Sequence, residues 1–349
     1  MALSSKAGAP RPELEDLTRV ELNHRVHLLG LGAVGRAFLD AVAATSYVIC
    51  GVSDRTATVF STPEVLREAV ALKVRGSSLS GHPASRSIPP SVLARIFPVG
   101  VVVDATDSSP HSATEAWART QSLLAGGKRV VLAAKNAVLE GAPAIFDPDL
   151  RDRVGVNAVL GGTGRRLQAS IDTLRARTDS VAAVPNATST ALVEAIEDGS
   201  TFDEALESCR RRGLTEEDAS LDLDGVDAWT KASIVARAVF PDSDAATIRA
   251  TSFERCDSRS ELDPELLRHR LRNGETTRLI ARIDRSTIRV RYEAVQRTGA
   301  LAVSSRRVAY DYHLRGGART VHVGSGLGPV GTASALIEDL SPSRSGEER

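Results

Sequence analysis

The chain has 349 residues, 44 lysines and arginines against 44 aspartates and glutamates, and a hydrophobic fraction of 42%. That length holds two ordinary domains, and a net charge of zero removes any bulk electrostatic case for a nucleic-acid or anionic-membrane partner. No apolar run approaches the roughly 20 residues of a membrane helix and the polar start lacks a signal-peptide core, so a soluble, cytoplasmic protein is expected. Cys50, Cys209 and Cys256 are scattered without metal-ligand spacing, which predicts reduced thiols and no metal site.

Residues 1–22 read as a polar tail. His24–Leu29 is a short buried strand, and Val34, Phe38, Ala41 and Val42 give the following segment a helical face. Tyr47–Val52 reads as a second strand, 76–91 as a Ser/Gly/Pro loop, and Val99–Asp104 as a third strand. A helix from about Ser112 to Gly126-Gly127 precedes a strand at Arg129–Ala134. This alternation predicts an α/β first domain over 23–150, a Rossmann-type doubly wound parallel sheet. Beyond 150 the pattern becomes α+β. A capping box at Thr201 and Glu204 opens a helix ending near Gly213, and a helix over 225–240 stops at Pro241. Period-two alternation marks strands at 288–292 and 308–312, and Gly316-Gly317 turns the chain into Thr320–Val323. A second domain over 151–320 is therefore expected, then a segment over 321–340 and a tail from 341.

Gly30-Leu31-Gly32-Ala33-Val34-Gly35 follows one strand and opens one helix, the context in which GxGxxG reads as a dinucleotide turn. The helix N-terminus offers free N–H groups to phosphates. Asp54 stands at the end of the second strand, where an acid reaches the ribose hydroxyls of NAD, whereas Arg55 beside it suits a 2′-phosphate. The expected cofactor is NAD(P), with the glycines, Ala33, Val34, Asp54 and Arg55 around it. A glycine turn holding no cofactor is the alternative.

Residues 213–231, GLTEEDASLDLDGVDAWTK, hold an acid-rich stretch that could be only a solvated loop and helix face. Asp227 and Lys231, however, are four apart on one helix and share a face, and a lysine in a cofactor cleft becomes a proton donor. This segment resembles the homoserine dehydrogenase family pattern, with Glu216, Asp222, Gly225, Asp227 and Lys231 at matching positions. The glycine turn, GKRVVLAAKNAV (127–138) and GSGLGPVGTASALIEDL (324–340) extend the resemblance over about residues 25–340. It implies NAD(P)-dependent interconversion of aspartate semialdehyde and homoserine, on the way to threonine and methionine, by a homodimer formed through the second domain's sheet. It implies a terminal helix returning to the nucleotide domain. It implies Lys231 as proton donor, Lys135 as a second lysine at the nicotinamide and carbonyl, and Asp227 as the group orienting Lys231. Two neighbouring ammonium groups would lower each other's pKa. Glu216 and Asp222 would hold the substrate's amino group, Asn186 and Thr188 would lie near the substrate, and Thr106, Gly328 and Thr332 would line the cofactor. Asn186 and Thr188 are equally suited to capping the helix that contains Ala191 and Leu192.

Departures cluster at Asn157–Arg165. Asn157 replaces a glutamate that in the family frames a monovalent cation, and Arg165, followed by Arg166, replaces a proline. The arginines would either bind an extra carboxylate or phosphate on a divergent substrate or lie on a helix surface. A divergent paralogue and a non-catalytic NAD(P)-binding protein are thus the alternatives. His111 could approach the cofactor from its loop, while His24 and His27 read as structural.

Overall fold

The computed structural model describes residues 20–88, 92, 98–106, 112–214, 219–242, 254–325 and 328–342. Seven strands form the first sheet: β1 (Arg25–Leu29), β2 (Val48–Ser53), β3 (Thr58–Phe60), β4 (Ser85–Arg86), β5 (Val101–Asp104), β6 (Arg129–Leu132) and β7 (Val154–Gly155). Their order is β4-β3-β2-β1-β5-β6-β7. Five of them, β2, β1, β5, β6 and β7, run parallel. Val26, Leu28, Val52, Val103 and Val131 are fully buried in this sheet, as continuous apolar runs in a doubly covered sheet should be. The expected parallel sheet has an antiparallel edge, because the chain doubles back after β2 into β3 and then β4. β4 falls inside the stretch read as loop, since a two-residue edge pairing carries no periodicity to detect. β7, at 154–155, still belongs to this sheet.

Helices α1 (Ala33–Val42), α2 (Pro63–Val74), α3 (Ala113–Ala125) and α4 (Lys135–Ile145) belong to this half of the chain. The second sheet is antiparallel, with β8 (Thr178–Val184), β9 (Glu275–Ile283), β10 (Ile288–Gln296), β11 (Arg307–Leu314) and β12 (Arg319–Ser325) in the order β10-β9-β8-β11-β12. With it go α5 (Gly164–Arg177), α6 (Ala187–Glu197), α7 (Phe202–Arg211), α8 (Val226–Val239) and α9 (Pro264–Arg272). The Thr201–Glu204 capping box is present at the start of α7. Helix α8 follows Gly225, whose left-handed φ of 87° only glycine adopts without strain. Its interior face packs against β9 and β10, and it also packs against α4 of the first sheet.

That last contact has a specific cause. Pro143 inside α4 has no N–H to offer the Leu139 carbonyl, and the buried Arg237 guanidinium of α8 donates to that carbonyl and to Glu140's. Finally α10 (Gly328–Leu340) returns to the first sheet and packs on α1, its Ala333, Leu336 and Leu340 sharing a core with Val26, Leu28 and Phe38. The three cysteines are free and buried, and burial pushes Cys50 and Cys256 up to about 11. His27 is buried beside Ser53 and held neutral, its pKa pushed down to about 3 by burial.

Candidate active site

The glycine turn lies between β1 and α1, beside the point where the strand order diverges from β1 to β2 on one side and β5 on the other. Gly30 has φ 92°, and a Cβ on it would sit 2.3 Å from the Ala105 carbonyl oxygen. One on Gly35 would sit 2.0 Å from the Gly30 carbonyl oxygen, so both are fixed by backbone packing. Gly32 differs. A Cβ there would meet nothing within 4 Å, and Gly32 and Ala33 are exposed, with Val34 half-buried behind them. The space outside the strand ends at the N-terminus of α1 therefore fits a dinucleotide's phosphates.

Asp54 follows β2 as expected, but its carboxylate faces inward. Oδ1 accepts from the Thr56 N–H and hydroxyl and from the Ala57 N–H. Oδ2 accepts from Lys73 Nζ and from the Leu79 N–H, each at 3.1 Å. Burial would raise its pKa, but the bonds from Thr56, Leu79 and Lys73 outweigh that and hold it well below the ordinary carboxylate range. These five bonds engage the carboxylate's lone pairs, while Arg55 is exposed beside it.

Thr106 closes β5. Its N–H and hydroxyl donate to Asp104 Oδ1, and Arg119 donates to Asp104 Oδ2 and to the Thr106 hydroxyl. The sequence reading passed over Asp104 and Arg119, although an acid ending a buried valine strand requires a partner. His111 and Glu216 lie outside the described residues.

The lysines and acids meet between α4 and α8. Lys135, the first residue of α4, donates to Asp227 Oδ1 at 2.5 Å, and Lys231 lies 2.8 Å from Asp227 Oδ2. The two ammonium groups converge as expected, with a carboxylate between them. Lys231 also donates to the Pro185 carbonyl at 2.9 Å. Burial disfavours an ionised Asp227, but Lys135 and Lys231 reverse that and hold it far below its usual pKa. Asp222 is pushed the other way, first by burial and then by the charge of Asp227. Asn186 does cap α6, accepting from the Ser189 N–H, and its amide also donates to Asp222 and Asp227 at 2.9 Å each. Thr188 is not the cap; its hydroxyl donates to the Leu214 carbonyl.

The Asn157–Arg165 turn is bound to the end of α10. The Asn157 N–H donates to Asp339 and its side-chain amide to Glu338, at 2.7 Å each. Its carbonyl accepts from the Gly162 N–H, and the Leu160 carbonyl accepts from the Thr163 hydroxyl. Arg165 donates to the Glu338 carbonyl and lies 3.8 Å from Asp339. Its guanidinium clasps the closing helix, and Arg166 is exposed and donates to the Val323 carbonyl. Both arginines are engaged with the closing segment, so they do not themselves argue for an extra acidic group on the substrate. Gly328 and Thr332 lie in the first turn of α10, where the Thr332 hydroxyl donates to the Gly328 carbonyl.

Asp339 is buried, and burial pushes it up to about 6 despite the Asn157 N–H, Arg165 and Arg129. A folded pKa above the unfolded one means that its stabilising contribution is complete below about pH 4 and is lost as pH rises through about 6. Asp339→Asn should therefore stabilise the protein at pH 8, by about 1–3 kcal/mol, and the gain should vanish by about pH 4. Thermal melts of both proteins across this range check it.

Residues 170–341 match the homoserine dehydrogenase family model. The homoserine dehydrogenase of Pyrococcus horikoshii is 23% identical over 326 residues, covering 90% of this chain and 95% of that protein. Among solved structures, a hyperthermophilic archaeal homoserine dehydrogenase in complex with NADPH superposes with a TM-score of 0.68 at 22% identity, over 90% of this chain and 96% of that one. A homoserine dehydrogenase of Thiobacillus denitrificans gives 0.67 at 23% identity, over 90% of this chain and 72% of that one. At these identities the structures speak for the fold.

Proposed function

We propose, from the premise that the chain belongs to the homoserine dehydrogenase family, that it interconverts L-aspartate 4-semialdehyde and L-homoserine with NAD(P)H. The observation that carries this is the Asp227 carboxylate shared by Lys231 of its own helix and Lys135 at the start of α4. A bound nicotinamide supplies or accepts the hydride at the carbonyl carbon. Lys231 gives the proton to the alkoxide oxygen in reduction and removes it in oxidation. Lys135 places a second positive charge where oxyanion character develops. Asp227 orients both ammonium groups. Asp222, whose Oδ1 accepts from Asn186 and whose Oδ2 has no hydrogen bond among the described residues, receives the substrate's ammonium together with Glu216. Thr188 pins the chain at Leu214, just ahead of Glu216. Thr106, braced by Asp104 and Arg119, would line the nicotinamide side of a bound cofactor.

The cofactor is NADP rather than NAD in this reading, because Asp54 is occupied by its own loop and by Lys73, and Arg55 beside it is exposed where it would meet a 2′-phosphate. The enzyme acts as a cytoplasmic homodimer on the route to threonine and methionine. Among the described residues no helix is long and apolar enough to cross a membrane.

The test is homoserine oxidation assayed separately with NADP⁺ and NAD⁺. We expect kcat/KM within the usual enzyme range of about 10⁴–10⁸ M⁻¹s⁻¹ with NADP⁺, and about a tenfold advantage over NAD⁺ that Arg55→Ala abolishes. Faster turnover of another amino alcohol would replace homoserine as the substrate. Cofactor binding without any turnover would instead leave a non-catalytic NAD(P)-binding protein.

A further inference from the structure

We propose that Asn186 is a positioning residue that holds the two carboxylates of the site apart and leaves Asp222 one oxygen open for the substrate's ammonium group. This rests on the homoserine dehydrogenase reading for the identity of the ammonium, and on geometry alone for the clamp. Asn186 is 3% exposed and sits where β8 ends and α6 begins. Its Oδ1 accepts from the Ser189 N–H at 2.8 Å. Its Nδ2 donates to Asp222 Oδ1 and Asp227 Oδ2, at 2.9 Å each. Reversing the amide would point an oxygen at two carboxylates and an NH₂ at a backbone N–H, so the network admits one orientation.

With both hydrogens and the oxygen spent, this side chain retains no donor for a substrate, and its work is done through its neighbours. The preceding residue contributes as well, since the Pro185 carbonyl accepts from Lys231. The dipeptide Pro185-Asn186 thus touches Lys231, Asp227 and Asp222. Two carboxylates brought together repel, and a neutral double donor between them offsets this without adding charge. Among the described residues, the charged groups facing the amide and its partners are Asp222, Asp227, Lys135 and Lys231, two of each sign.

Asn186→Asp separates clamp from cap. Aspartate caps a helix as well as asparagine does, but it replaces the double donor with a third carboxyl group. That carboxyl, forced against Asp222 and Asp227, is protonated in the folded state at low pH, when it still donates one hydrogen bond. Its folded pKa is therefore raised, and stability is lost as pH rises. We expect the Tm of Asn186→Asp to equal that of the wild type near pH 4 and to fall progressively below it towards pH 8. We expect the homoserine KM to rise at least about tenfold near pH 8, with the NADPH Kd unchanged. Asn186→Ser, which keeps the cap and one donor, should fall between the two in KM. If Asn186→Asp matches the wild type in Tm across this range and in KM, the residue is a helix cap only and the proposal is overturned. If the wild type does not turn over homoserine, the substrate reading fails, while the pH-dependent Tm gap still decides the clamp.

Discussion

Lys231→Ala should turn over homoserine about 10²–10⁴-fold more slowly than the wild type, the usual contribution of a positioned general acid–base, while its NADPH Kd changes little. The expectation follows from where the side chain is. Its ammonium is held by Asp227 at 2.8 Å and by the Pro185 carbonyl at 2.9 Å, both of them in the second half of the chain. None of its contacts is to the glycine turn, so deleting it removes proton delivery without disturbing phosphate binding. Lys231→Arg refines the test. Arginine keeps the positive charge and reaches as far, but it does not give up a proton near neutrality. Turnover that stays low in the arginine variant separates proton transfer from electrostatic attraction. Stopped-flow single turnovers and NADPH fluorescence titration measure the two quantities. Wild-type rates in the alanine variant, or lost cofactor affinity, would mean that Lys231 has a different role.

The elements whose chemistry is local were legible in the sequence. Valine-rich runs gave β5 and β6, and the glycine spacing gave the β1–α1 turn with its open Gly32. The i,i+4 relation of Asp227 and Lys231 became a direct ion pair because a helix sets those two positions side by side on one face. What residue spacing alone leaves open depends on long-range packing. Lys135 is 92 residues from Asp227, and only the docking of α4 on α8, helped by Arg237 filling the gap left by Pro143, brings them together. The strand β9 shows little alternation because both of its faces are buried over most of its length. Asp54 was found at the right place with the wrong neighbours, since spacing locates a strand end and says nothing about which lone pairs the following loop will take. Arg165 is open in the sequence between a ligand-binding and a surface role, and its actual partner is α10, returning from the far end of the chain. A side chain that answers a distant helix terminus has no signature in its own neighbourhood.

Asp227→Ala should be the most damaging single change at the site, because it removes the carboxylate that two cations share. Lys135 and Lys231 would face each other without the carboxylate that separates them, and Asn186 would lose one of its acceptors. Breaking a fully buried pair costs about 3–5 kcal/mol. Here the side chains of Lys135 and Lys231 are 31% and 15% exposed, so water recovers part of that and a loss of about 2–4 kcal/mol is expected. The pH dependence is distinctive. Asp227 titrates far below the ordinary carboxylate range, so its stabilisation is present above the unfolded pKa of about 4 and is lost only as pH falls through the lowered folded value. The Tm gap between wild type and variant should thus be flat from about pH 5 to 8 and close only in acid, opposite to the behaviour expected of Asp339→Asn. A double-mutant cycle with Lys135→Met tests the cause. If the damage comes from a Lys135 ammonium deprived of this carboxylate, the second substitution should restore about 1–2 kcal/mol while leaving turnover low, because the double variant lacks both Lys135 and the group that orients Lys231. Strict additivity of the two substitutions would show that the Lys135–Asp227 contact contributes nothing to holding the first and second halves of the chain together.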